Sequence, residues 1–137
     1  MTQQHGPAAA AVEQSPTGPM VATLLAVPCG EFALLLADKL SNRSKPIEGW
    51  VYGFGKWMPG ANGSGPGGSI GPYSGKETIA LAVWLLSWAV LHRILRNSSP
   101  SASKSIKIFL IATIVITLNF IDPIADWTFG FVMWFYH

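Results

Sequence analysis

From residue 74 onward the chain reads as two long apolar runs separated by a short basic, serine-rich break. The first run, residues 75–95, carries Ile79, Leu81, Val83, Trp84, Leu85, Leu86, Trp88, Val90 and Leu91. As a helix at about 1.5 Å per residue it covers roughly 30 Å, the thickness of a hydrocarbon core. Its start is marked by Ser74-Gly75-Lys76-Glu77, the spacing of a capping box, in which the serine oxygen accepts from the third helical amide and the glutamate returns to the cap amide. Asn97-Ser98-Ser99-Pro100 ends it, since proline disfavours helical backbone in the residue before it. The second run starts after Ser103 and continues through Ile106, Phe109, Ile111, Ile114, Val115, Leu118 and Ile121. One helix over residues 106–136 would be about 46 Å long, too long for a single crossing, so Asp122-Pro123 is expected to end the span. The pattern predicts spans over residues 75–96 and 104–122. It places Trp127, Phe129, Phe131, Trp134, Phe135 and Tyr136 in or near the membrane interface, where amphipathic aromatics collect, or packed on a neighbour.

The amino-terminal half is less regular. Residues 1–19 are Ala, Gln, Pro and Gly with Glu13 as the one acid and no Lys or Arg, too little apolar surface to offset the entropy of ordering, and read as a disordered tail. Residues 20–41 are apolar but interrupted by Pro28, Gly30 and Glu31, and three readings compete. A signal peptide would want a basic start and a small-residue cleavage pattern, and neither is present. A spanning helix would hold Glu31 near mid-bilayer, at a cost of about 2.5–3.5 kcal/mol on insertion scales for acidic residues such as Asp, and would also absorb Pro28. The expectation is instead a short amphipathic helix over about residues 30–40, lying on the membrane surface or against a partner. Residues 42–73 read as a Gly/Pro-rich loop with mixed charges and scattered aromatics. The glycine-rich run at 59–68 lacks the Gly-Lys-Ser/Thr ending and βα context of a phosphate cradle, so no nucleotide is expected there.

Composition sharpens this picture. Of the 137 residues, half are hydrophobic and 12% are charged, against about 25% charged in an ordinary soluble domain. Six Trp and seven Phe add more apolar surface than a globule of this size buries in water, which excludes most soluble enzyme classes. A net charge of +2 with scattered basic residues makes no footprint for nucleic acid. Cys29 stands alone and cannot close a disulfide within the chain. The break between the runs carries Arg93, Arg96, Lys104 and Lys107 without an acid, so the positive-inside rule puts loop 93–107 in the cytoplasm and the carboxy terminus on the opposite side. Were residues 20–40 to span as well, the amino terminus would move inside.

Few side chains offer chemistry. His92, at the end of the first span, is a candidate ligand for the magnesium of a chlorophyll or the iron of a haem; the plainer alternative is a polar interfacial residue beside Arg93. The second span has no histidine to match it, which disfavours a bis-histidine haem. Trp84 and Trp88, one turn apart, make an aromatic face that could pack a ring system or a partner helix. Asp122 and Asp126 are candidates for proton or ion binding in a transporter or enzyme subunit, or else simply end the helix and face water. The predicted spans hold no Gly-xxx-Gly pair, so a close-approach interface of that kind is not expected. Two such helices enclose no polar pathway, and a larger membrane complex is implied.

The segment Gly71-Pro72-Tyr73-Ser74-Gly75-Lys76-Glu77-Thr78, followed by Trp84, Trp88 and Leu91-His92 and a basic connection to a second span, resembles small two-helix membrane proteins of cyanobacteria, in particular an accessory subunit of photosystem I. The resemblance covers residues 70–122. It implies a thylakoid location, contact with large core subunits, and chlorophyll or carotenoid at the periphery. The expectation is an all-α membrane protein: a two-helix transmembrane hairpin with an irregular Gly/Pro-rich amino-terminal region and an aromatic interfacial carboxy terminus. It is expected to be a non-catalytic accessory subunit, with a membrane-anchored assembly factor as the alternative.

Overall fold

The computed structural model describes residues 16–59 and 73–134, which are helical with no strand among them. The helices are α1 (Gly18–Arg43), α2 (Lys45–Gly55), α3 (Tyr73–Leu95), α4 (Ala102–Leu118) and α5 (Asp122–Trp134). α1 and α3 are each long and apolar enough to cross a membrane. α4 passes the same test only together with the start of α5, and the two meet at an angle of 105°. The expected tail at residues 1–19 and the glycine-rich run at 59–68 lie for the most part outside the described residues.

α1 corrects the expectation of a short surface helix. It runs unbroken for 26 residues, with Pro19 in its first turn, where a missing amide donor costs nothing, and with Pro28 inside it. Its centre is stabilised by packing. α1 is the element that holds the bundle together: it packs on α3 and on α4, whereas α3 and α4 barely touch each other. The expected two-helix hairpin is therefore split by a third helix. The Gly18 amide donates to the Ser98 carbonyl at 3.0 Å and the Thr17 hydroxyl to the Pro100 carbonyl at 3.1 Å, which places the start of α1 beside the α3–α4 connection. α1 thus runs antiparallel to α3 and parallel to α4.

The reason for the close α1–α3 contact is a stripe of small residues at every fourth position. Gly18, Ala22, Ala26 and Gly30 lie on one face, all buried. A Cβ built on Gly18 would overlap the Leu95 carbonyl, and one on Gly30 would lie 2.9 Å from Trp84 Cβ and 3.3 Å from the Ala80 carbonyl. This is the small-xxx-small approach that lets membrane helices meet backbone to backbone. It sits on α1, which includes the residues where the sequence predicts only a short surface helix. Gly30→Ala is therefore expected to lower the unfolding free energy in detergent by about 1–3 kcal/mol. Gly49→Ala, with nothing within 4 Å of its Cβ, should stabilise by about 0.5–1 kcal/mol through backbone entropy. Denaturant titrations followed by helical circular dichroism separate the two.

α2 corrects the long loop expected over residues 42–73. Pro46 sits in its first turn, and Val51 and Gly55 are buried against the start of α3. A Cβ on Gly55 would overlap Ser74 Oγ, and one on Gly75 would overlap the Val51 carbonyl. Tertiary contact, rather than propensity, keeps this glycine-rich segment helical. The expected capping box is not made either. α3 already includes Tyr73, so Ser74 is a helical residue, and its buried Oγ has no hydrogen-bond partner.

Candidate functional site

Three ion pairs form a polar layer where α1 ends. Lys76, in the first turn of α3, donates to Asp38 Oδ1 at 2.8 Å. Lys39 donates to Asp122 Oδ1 at 2.5 Å and to the Phe120 carbonyl at 3.2 Å, and Arg43 donates to Asp126 Oδ1 at 2.7 Å. The lysine side chains are only 6% and 8% exposed, while Asp122 and Asp126 are 86% and 72% exposed. Cations of α1 thus hold the α4–α5 bend, and a carboxylate of α1 holds the start of α3. Asp122 and Asp126, candidates for proton or ion chemistry, are spent as anchors for α5.

The Lys39 hydrogen bond, and then its charge, hold the Asp122 carboxyl below the ordinary carboxylate range. A folded-state value below the unfolded one gives stability that is present above about pH 4 and lost as the pH falls through the depressed folded value. Thermal melts in detergent should therefore be flat at neutral pH and decline in acid. Asp122→Asn should melt lower at neutral pH and lose part of the acid decline.

Beside this layer, between α1 and α3, runs a groove of about 400 Å³ lined by Val27, Gly30, Glu31, Leu34, Glu77, Ala80, Leu81 and Trp84. Glu31 is the fourteenth of the 26 residues of α1 and makes no ion pair among the described residues. Its Oε2 is buried without a hydrogen-bond partner, as is Trp84 Nε1. Past Trp84 the groove continues into a hollow of about 350 Å³ lined by Thr23, Trp84, Leu85 and Trp88. The His92 ring lies beyond it, 5.5 Å from the Trp88 ring centroid at 35°.

Trp84 and Trp88 therefore border an apolar valley open on its outer side, and His92 continues their line along α3 at i, i+4 and i+8. Such a valley suits a flat ring or an extended polyene, gripped by dispersion and ring stacking. His92 is half-buried beside Trp88, and a neutral imidazole has a ring nitrogen able to ligate a metal. Among the described residues no group of three His, Cys, Asp or Glu side chains converges on a metal-sized site.

No family model, curated protein or solved structure matches the chain. The groove and the polar layer are the features from which a function follows. Trp84 and Trp88, one turn apart in the sequence, line one hollow in the structure, and the His92 ring lies beside that of Trp88. The pairing of Asp38, Lys39 and Lys76 leaves no local signal in the sequence, because their partners lie 38 to 83 residues away along the chain. Glu31, which in the sequence reads as an obstacle to a spanning α1, lines the groove. Small residues at 18, 22, 26 and 30, which give α1 its close-packing face, are legible in the sequence.

Proposed function

We propose that the chain is a non-catalytic, membrane-embedded accessory subunit of a larger pigment–protein complex, with photosystem I as the host that the resemblance favours. The observation that carries this reading is the stripe of Trp84, Trp88 and His92 beside an apolar valley, a surface suited to the edge of a chlorophyll or to a carotenoid. His92 would hold a chlorophyll through its magnesium, and Trp84 and Trp88 would pack its ring. The use of Asp122 and Asp126 in ion pairs weighs against a transporter or enzyme subunit built on them. Large side chains uncovered on α3 and α4, among them Leu86, Ile94, Ile108 and Ile111, offer apolar area to core helices and lipid.

In this reading α1, α3 and α4 all cross a thylakoid membrane. Arg93, Arg96, Lys104 and Lys107 lie at the end where α1 begins, so the amino terminus and the loop 93–107 face the cytoplasm. The polar layer and α5 then face the lumen. A tagged copy, extracted gently and run on a native gel, should migrate in stoichiometric amounts with a green photosystem band. His92→Ala should leave that migration intact and reduce bound chlorophyll. Migration as a small colourless species overturns the reading, and association only with incomplete complexes replaces it with an assembly factor.

A further inference from the structure

α2 has three distinct sides. At 100° per residue, Val51 and Gly55 share the side packed on α3, and Lys45, Glu48, Tyr52 and Lys56 group on a second side. On the third, Trp50, Phe54 and Trp57, with Trp57 just past the end of α2, fall within an arc of about 60° and are 64%, 43% and 64% exposed. Trp50 and Phe54 meet edge to face, with centroids 4.5 Å apart, so the stripe is an ordered surface.

The contacts with α3 fix the depth of this surface. Val51 and Gly55 touch Gly75 and Ser74, level with the ion-paired Lys76. Trp57 Nε1 donates to Thr78 Oγ1 at 3.0 Å, and Trp57 lines a hollow with Met58, Glu77, Thr78 and Leu81, one to two turns further along α3. Trp57, at the carboxy-terminal end of the stripe, therefore lies along the apolar length of α3, away from the polar end of the bundle.

We propose that α2 is an in-plane lipid anchor, with Trp50, Phe54 and Trp57 seated in the headgroup–acyl boundary of a phospholipid bilayer and its charged side in water. The partner is the lipid surface. Amphipathic aromatics at the level where spans meet their first charges are what that boundary favours, and the surface is continuous with the apolar outer face of α3. The proposal rests on α1 and α3 crossing a bilayer, and not on any host complex.

The test uses the full chain carrying Cys29→Ser in phosphatidylcholine vesicles, with a bimane label at Trp50→Cys, Phe54→Cys, Glu48→Cys or Val90→Cys. Val90, exposed on α3, reports whether the span itself is in lipid. Labels at 50 and 54 should be quenched at least threefold more by lipid spin-labelled near the acyl carbonyl than by lipid labelled at mid-chain. The label at 48 should instead respond to aqueous iodide. Quenching at 90 together with iodide-like behaviour at 50 and 54 overturns the anchor while the span stands; no lipid quenching at 90 overturns the spanning reading beneath it. Protection of 50 and 54 from both quenchers means that a protein covers the stripe, and it also overturns the proposal. Should the cysteine variants fail to fold, Trp50→Phe with Trp57→Phe keeps the surface apolar. The share of tryptophan emission quenched by lipid brominated near the carbonyl should then fall relative to the unaltered chain, and an unchanged share overturns the anchor.

Discussion

Asp38→Ala is expected to lower the unfolding free energy by about 3 kcal/mol, the lower part of the range for removing one partner of a buried ion pair. The damage comes from what is left behind. Lys76 has its side chain 6% exposed and donates to Asp38 Oδ1 at 2.8 Å, so the variant strands an ammonium between α1 and α3. The lower part of the range applies because the Asp38 side chain is 26% exposed and water already shares in its solvation. Lys76→Met in the same background should restore most of the loss, since two apolar groups need no partner. Urea or SDS titration of the four proteins of this cycle gives the coupling directly, and additive losses would mean that the pair does not couple the two helices.

The second large effect concerns Glu31, and its sign is opposite. Glu31→Leu should make insertion of α1 more favourable by about 3–4 kcal/mol, the difference between an acidic residue and leucine near a helix centre. A glycosylation-mapping assay on α1 placed in a host protein reads this as a rise in the inserted fraction. Equal insertion of both forms would show that Glu31 is already sheltered or lies outside the hydrocarbon. In the folded chain the gain should persist, because Glu31 Oε2 lies buried in the groove without a hydrogen-bond partner.

Where the sequence could be read and where it could not follows from the range of the forces involved. The span 75–96 is legible because an unbroken apolar run needs no partner to be a helix in lipid, and α3 covers it closely as Tyr73–Leu95. A break near Asp122-Pro123 is legible too, although α4 ends earlier, at Leu118; the 105° bend precedes Asp122, and Asp122-Pro123 open α5. α1 was obscured because Pro28 and Glu31 are penalties local to the segment, while the compensation is tertiary: glycine and alanine on one stripe, met by Trp84 and Ala80 of a helix some fifty residues later. α2 failed for the same reason, since only its contact with Ser74 and Gly75 keeps a helix in a window with three glycines. In the candidate site, the shared face of Trp84 and Trp88 is legible from their one-turn spacing, since helical periodicity needs no partner. The roles of Asp122 and Asp126 are not, for Lys39 and Arg43 lie 83 residues before them.

The placement of α1 between α3 and α4 also sets an order of events during synthesis. α1 leaves the ribosome first, yet both surfaces it is built to meet are made later. Lys39 waits for Asp122 through 83 residues of elongation, roughly 4–17 s at about 5–20 residues per second. Through that interval Lys39 is without its partner, and the glycine–alanine stripe stays bare until α3 has been made. Biogenesis of this chain should therefore depend on an insertase or membrane chaperone that retains α1 at the translocon, and depletion of that factor should degrade the wild-type chain faster than the Glu31→Leu form.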